Sequence, residues 1–129
     1  MSSLFRAKKV EDGDKATRHY SSLQEKSVAK AVKGNVTKNS GATMFQKGDV
    51  TTDNWLLECK TSITDKKSFT LKEEWFEKNK QESLFMNKEY SAVIFSFGPS
   101  KKNYYVIDEL TFQELLEYQN SKGEWCGNA

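Results

Sequence analysis

The 129-residue chain has a single histidine, two cysteines and no long hydrophobic run, and each shortage excludes a class of protein. One histidine cannot supply a histidine-based triad or a histidine-rich zinc site. The cysteines, Cys59 and Cys126, have no Cys-x-x-Cys partner, so neither a zinc site nor a disulfide framework is indicated. The chain also lacks a phosphate-binding Walker loop, a G-x-S-x-G elbow and the kinase motif set.

No apolar segment approaches the roughly 20 residues that span a bilayer, and the N-terminus has no apolar signal-peptide core. With 29% charged residues and a mean hydropathy of -0.76, the surface is rather polar. We therefore expect an intracellular, cytoplasmic protein with reduced thiols and no membrane partner.

A net charge of +2 is too small to indicate nucleic-acid binding by itself, but the charges are unevenly distributed. Residues 26–47 contain five lysines and no acid, whereas acids collect around 73–82 and 108–117. This distribution is compatible with a basic face that meets nucleic acid. An ordinary solvated, lysine-rich helix face explains it equally well, and both interpretations stay open.

The length suits one domain with one hydrophobic core. Residues 1–16 are polar and contain Arg6, Lys8 and Lys9, which predicts a flexible basic N-terminal arm. The domain is expected over residues 17–120, and residues 121–129 are expected to form a C-terminal tail.

Three Ser/Thr-x-x-Glu patterns, of the capping-box form, predict helix starts. Ser22 to Glu25 opens a helix over about 22–33, Thr70 to Glu73 one to about 86, and Thr111 to Glu114 one to about 118. The second helix is expected to pack inward through four apolar residues, namely Leu71, Trp75, Phe76 and Phe85.

Strands are predicted at 55–60, 90–97 and 103–107, and residues 35–50 predict an extended segment, a glycine-containing loop and a short strand. In the first of these, alternation places Leu57 and Cys59 on one face and Leu56, Glu58 and Lys60 on the other. The predicted order is α-β-β-β-α-β-β-α, an α/β fold with a mixed central sheet flanked by helices.

Charges interrupt this otherwise apolar sheet at Asp49, Glu58 and Lys60. Removing charged groups from water is costly, so charges in such strands need an open edge, a partner or a metal ion. Two carboxylates from neighbouring strands suit Mg²⁺, which prefers oxygen ligands and retains several waters. A lysine beside that ion can orient an attacking water or stabilise charge on phosphorus, so the pattern indicates phosphodiester hydrolysis.

The GDV of 48–50 followed by the LLECKT of 56–61 resembles the PD-(D/E)xK nuclease superfamily, which has an acid on one strand and (D/E)-x-K on the next. Gly48 stands where the usual proline precedes the first acid. Within the superfamily, the chain is similar to archaeal and phage-type Holliday junction resolvases over roughly residues 18–107. The resemblance implies a restriction-endonuclease-like core.

The resemblance implies a role for each matching residue. Asp49 and Glu58 would bind the metal, the Cys59 backbone carbonyl would be a third ligand, and Lys60 would be the catalytic lysine. Glu25, on the first helix, would bind metal or water, although a purely structural role in its capping box stays open. The residues expected to meet DNA phosphates or the attacking water are Lys33, Lys38, Ser40, Gly41, Lys47 and Ser62.

The sequence thus predicts a Mg²⁺-dependent DNA endonuclease, with Mn²⁺ able to substitute, and in particular a Holliday junction resolvase. A four-way junction must be nicked on two opposed strands, so a homodimer with two identical sites suits the substrate. A nuclease acting on flaps, single strands or duplex DNA and a non-catalytic nucleic-acid-binding module stay open as alternatives.

Overall fold

A computed structural model describes residues 2–37 and 49–122 of the chain, with side chains described from residue 16 onward. The described elements, in chain order, are helix α1 (Ser2–Val32), strands β1 (Asn35–Val36), β2 (Val50–Thr51) and β3 (Trp55–Lys60), helix α2 (Glu73–Phe85), strands β4 (Tyr90–Ser96) and β5 (Asn103–Val106), and helix α3 (Glu109–Ser121). The predicted α/β class, with a mixed sheet flanked by helices, is confirmed.

The five strands form one sheet in the order β1-β2-β3-β4-β5. β1 to β3 are antiparallel neighbours, β3 and β4 are parallel, and β4 and β5 are antiparallel. The parallel pair runs from Trp55 opposite Tyr90 to Lys60 opposite Phe95. Parallel neighbours need a crossover connection, which the segment containing α2 supplies.

One face of the sheet packs against α1. Val28 of α1 is fully buried with Val50, Leu57, Ala92 and Ile94, and burial of each large side chain contributes about 1.5–3 kcal/mol. Cys59 packs against the same cluster. The predicted alternation of Leu57 and Cys59 toward the core is therefore confirmed.

The packing predicted for α2 is wrong for Leu71 and Phe85. Leu71 precedes the helix and is 40% exposed, and Phe85 is 80% exposed, whereas Trp75 and Phe76 are half-buried. The helix instead buries polar residues, namely Asn79, Glu82 and Ser83. The Asn79 Nδ2 donates a hydrogen bond of 3.0 Å to the carbonyl of Ala92. β4 pairs with β5 only from Val93 onward, so a side chain satisfies the carbonyl just before that ladder.

None of the three predicted capping boxes marks a helix start. α1 begins at Ser2, so Ser22 lies inside the helix and the predicted arm has helical backbone. α2 follows Lys72, whose side chain makes no capping hydrogen bond, and the cap of α3 is Asp108, which accepts from the Thr111 amide at 2.8 Å. No proline interrupts residues 2–32, so nothing forces the first helix to begin as late as Ser22.

The remaining boundaries agree closely with the predicted strands. β3 has the predicted bounds, while β4 and β5 each end one residue earlier than predicted, at Ser96 and Val106. The predicted glycine-containing loop falls on residues 38–48, which lie outside the described residues. In the described ranges, no helix is long and apolar enough to cross a membrane.

Replacing Asn79 with alanine tests the polar packing of α2. Asn79→Ala leaves the Ala92 carbonyl without its donor in a buried site, and we expect the free energy of unfolding to fall by about 1–3 kcal/mol. Urea denaturation measures this. Gln81→Ala, at an exposed position of the same helix, should change it by less than about 0.5 kcal/mol. Equal stability of the two variants would contradict the role of Asn79.

Candidate functional site

Strand register brings Asp49 and Glu58 together. Val50 pairs with Leu57 across β2 and β3, so the antiparallel register continued by one residue sets Asp49 opposite Glu58. Val50 and Leu57 point into the core under α1. Because side chains alternate along a strand, Asp49 and Glu58 point to the other face, where α2 lies.

The Asp49 carboxyl is buried and poorly compensated. Asp49 is 3% exposed, and its Oδ1 has no hydrogen-bond partner among the residues that the structure describes. Burial raises the pKa of Asp49 to about 8, with further contributions from the negative charges of Glu58, Glu82 and Glu25 and from a hydrogen bond shared with Glu82. A cation bound here would relieve the repulsion among these carboxylates.

Glu58 and Lys60 form an ion pair on the α2 face of β3. The Lys60 Nζ lies 2.6 Å from the Glu58 Oε2, and both side chains are largely buried. The same ammonium lies 4.3 Å from the ring centroid of Trp75, a cation–π contact that further restricts its position. Lys60 therefore contacts both a carboxylate and an indole.

Glu25 belongs to α1, where its Oε2 accepts a hydrogen bond of 3.0 Å from the Ser21 hydroxyl. The alternative role of Glu25 in a helix-opening capping box is wrong, because α1 begins far upstream. Burial raises the pKa of Glu25, and the hydrogen bond from Ser21 opposes this. Its charge also acts on Asp49, so Glu25 belongs to the same electrostatic cluster.

The Cys59 side chain faces the core rather than the carboxyl groups. Burial, followed by the charges of Asp49, Glu25 and Glu58, raises the pKa of the thiol strongly. A neutral thiol is a poor metal ligand, because the thiolate is the form that binds metal. Any contribution of Cys59 to a metal site would therefore come from its peptide carbonyl.

Gln24 ties α1 to the end of β3, and sequence reasoning did not identify it. Its Nε2 donates to the Lys60 carbonyl at 3.1 Å and to the Asn103 Oδ1 at 3.4 Å, while its Oε1 accepts from the Thr61 hydroxyl at 2.8 Å. The residue is almost fully buried. This network sets the position of the helix that carries Glu25 relative to the strand that carries Lys60.

The predicted phosphate contacts are only partly described. Lys33 is exposed directly after α1, with a φ of 57°. Ser62 is buried, and its hydroxyl donates to the Ser96 carbonyl at 3.0 Å, so that proton is already engaged. Four more predicted contacts lie outside the described residues, namely Lys38, Ser40, Gly41 and Lys47.

Sequence reasoning also missed Trp75 as a neighbour of Lys60 and Glu82 as a neighbour of Asp49. A signal was available in the spacing of Trp75, Asn79 and Glu82, which occupy positions i, i+4 and i+7 of one helix face. This spacing was overlooked because the side of α2 that faces the sheet was expected to be apolar.

The donor set suits a divalent cation in its chemistry but not in its present arrangement. The buried, unpartnered Oδ1 of Asp49 is an oxygen donor beside three other carboxyl groups, and hard cations such as Mg²⁺ prefer oxygen donors. Within the described ranges, no three His, Cys, Asp or Glu side chains are arranged to hold a metal ion as they stand. Because Glu58 is turned toward Lys60, binding would require rotation of carboxyl side chains.

Comparison with protein-family models, curated proteins and solved structures gives no significant match. The function is therefore inferred from the residues and geometry of this site.

The raised pKa of Asp49 predicts that Asp49→Asn stabilises the metal-free protein. Between the ordinary pKa of 3.8 and the folded value of about 8, only the unfolded state loses the proton, so stability falls as pH rises, by up to about 1.4 kcal/mol per pH unit. Asparagine does not ionise and avoids this loss. Urea denaturation in EDTA should show a stability advantage that grows by more than about 2 kcal/mol from pH 4.5 to 8.

Asp53→Asn is the matched control, because Asp53 is exposed. Its stability relative to the unmodified protein should not change with pH by more than about 0.5 kcal/mol. A pH-independent effect of Asp49→Asn would contradict the burial of an uncompensated carboxyl at this position.

Proposed function

We propose that the chain is a metal-dependent DNA endonuclease of the PD-(D/E)xK type, built on a restriction-endonuclease-like core. The observation that carries this proposal is the buried Asp49 carboxyl, which has an unpartnered oxygen and lies near Glu58, the ion-pair partner of Lys60. The succession of a glutamate-bearing helix, an acid before a short strand, a strand with E-x-K and a crossover helix supports the same proposal.

The proposed roles follow from the chemistry of each group. Asp49, Glu58 and the Cys59 carbonyl would hold the ion, with Glu25 as an additional ligand or a partner of bound water. Bound Mg²⁺ or Mn²⁺ would supply Lewis-acid activation of the phosphate and of the attacking water. The Lys60 ammonium would orient that water and offset the charge that develops on the phosphoryl oxygens.

Lys60 is well placed for such a role because its position is restricted. Glu58 and Trp75 both contact the ammonium, so it need not be ordered during the reaction. Gln24 holds the carbonyl of the same residue and thereby fixes the end of β3. Preorganised charge of this kind stabilises a transition state more than a freely moving lysine does.

The proposed substrate is a four-way DNA junction, nicked by a homodimer. Two identical sites related by a two-fold axis match the two opposed strands that resolution of a junction requires. The resemblance of the GDV and E-x-K segments to those of small resolvases motivates this choice over other DNA substrates. An exposed lysine at position 33, at the end of the helix that bears Glu25, is available for phosphate contact.

A cleavage assay tests the activity and the substrate together. With Mg²⁺, we expect nicking of a labelled four-way junction in preference to flap and linear duplex DNA of the same sequence, and no product in EDTA. Asp49→Asn, Glu58→Gln and Lys60→Met should each lower the rate by at least about 100-fold, because each removes a group that acts on developing charge.

Lys67→Met, at an exposed position after β3, is the control and should retain the full rate. Cleavage that survives both Asp49→Asn and Glu58→Gln, in preparations free of contaminating nuclease, would refute the nuclease proposal. Preferential cutting of flaps or duplex would refute only the junction specificity. Salt-sensitive DNA binding without product in Mg²⁺ or Mn²⁺ would indicate a binding module instead.

Helix α3 is the surface that we propose for the homodimer contact. All its residues except Thr111 are exposed, and its apolar side chains are 39–64% exposed, namely Leu110, Phe112, Leu115, Leu116 and Tyr118. A 13-residue helix is marginal without tertiary packing. An antiparallel second copy would cover these side chains and bring Glu109, at one helix end, close to Lys122 of the partner, at the other end.

Leu116→Glu should weaken the dimer, because it places a charge within this apolar surface. Sedimentation equilibrium of the unmodified protein should give a dimer mass, and the variant should dissociate at least 10 times more readily, a change of about 1.4 kcal/mol. Gln113→Glu adds the same charge to the polar side of α3 and should remain dimeric. A dimer that persists in Leu116→Glu would exclude α3 as the interface.

A further inference from the structure

Glu82 is a buried carboxyl that the proposed ligands do not include. It is 8% exposed on α2 and shares a hydrogen bond with the Asp49 side chain. Burial of one carboxylate is costly, and burial of two adjacent ones is more costly still, unless a proton or a cation neutralises them. The position therefore requires an explanation beyond packing.

The surrounding structure holds Glu82 in place. Asn79, one helical turn earlier, is anchored to the Ala92 carbonyl, and Trp75, at the start of the same helix face, contacts the Lys60 ammonium. This face of α2 therefore lies against both the lysine and the first acid of the site. A helix anchored at two points can present a carboxyl group at a defined position.

The Oδ1 of Asp49 is an oxygen atom available to bind a metal ion. It is buried and has no hydrogen-bond partner in the described part of the chain, although the carboxyl group shares a hydrogen bond with Glu82. Buried polar atoms without a partner are rare, and a bound ion is one of their recognised explanations. A cation at this oxygen would lie within reach of the carboxyl group hydrogen-bonded to Asp49.

We propose that Glu82 is a further carboxylate ligand of the cation bound by Asp49, so that α2 contributes to the metal site together with α1 and the sheet. The inference rests on the proposed function, because it presupposes a cation at Asp49. It adds a ligand from the face of the sheet opposite α1. Glu82 would then contribute an oxygen from α2, and Glu25 would contribute one from α1.

Calorimetric titration of chelator-treated full-length protein with Mn²⁺ tests this inference directly. We expect Glu82→Gln to raise the Kd for Mn²⁺ at least 10-fold, since a ligand or a group that orients one typically changes metal affinity by about 10–100-fold. Glu77→Gln, an exposed neutral substitution on the same helix, should bind Mn²⁺ with unchanged affinity. Circular dichroism verifies that each variant is folded.

Glu82→Asp provides a second test that retains the charge but shortens the side chain. A ligand needs its oxygen within about 2.0–2.2 Å of a small hard cation, so the shorter side chain should also weaken Mn²⁺ binding, by at least 5-fold. This variant decides the question if Glu82→Gln does not fold. A purely electrostatic role of Glu82 would leave the affinity of Glu82→Asp unchanged and would overturn the inference.

The outcomes separate this inference from the proposal on which it rests. If the unmodified protein binds Mn²⁺ and both Glu82 variants bind it equally well, Glu82 is not a ligand, while the proposed nuclease is unaffected. If the unmodified protein binds no Mn²⁺, the metal-dependent function fails, and the inference fails with it.

Discussion

The burial of the Asp49 carboxyl among other acids is the constraint on which the site depends. Such a group is tolerated only because the strong core on the other face of the sheet holds β2 in one register against β3. Val28 of α1 packs on Val50 and Leu57, and this pairing fixes Asp49 opposite Glu58. A shift of β2 by one residue against β3 would turn the Asp49 carboxyl into the core beneath α1 and bring the Val50 side chain to the site instead.

The sequence predicted the sheet better than it predicted the helices. The alternation of apolar and polar residues over 55–60 predicts both a strand and its buried face, because side chains of a strand point to alternate faces. β3 has the predicted bounds. Helix starts were wrong because a hydroxyl three residues before a glutamate occurs often in a chain rich in both, and only the cap conformation distinguishes a true start. The predicted inward face of α2 was wrong at Leu71 and Phe85, and it missed Asn79, which a tertiary hydrogen bond rather than hydropathy holds against the sheet.

In the candidate site, too, contacts between residues close in sequence could be predicted, whereas contacts between distant residues could not. The proximity of Asp49 to Glu58 could be predicted because Asp49 directly precedes β2 and a short turn joins β2 to β3, so spacing alone relates them. Gln24 and Lys60 are 36 positions apart, and the partners of Trp75 and Glu82 likewise come from other elements. No local pattern encodes such contacts, since they depend on how helices pack on the sheet. Residues 38–48, which contain four of the predicted DNA contacts, lie outside the described residues.

The contact between Trp75 and Lys60 makes the fluorescence of Trp75 sensitive to the position of the lysine. Indole emission responds to a charge held near the ring, and here the ammonium lies 4.3 Å from the ring centroid. Any event that draws the lysine toward a phosphate, or frees it by pulling Glu58 away, changes the electric field at the indole. Occupancy of this region is therefore coupled to the fluorescence of a natural side chain, without an attached dye.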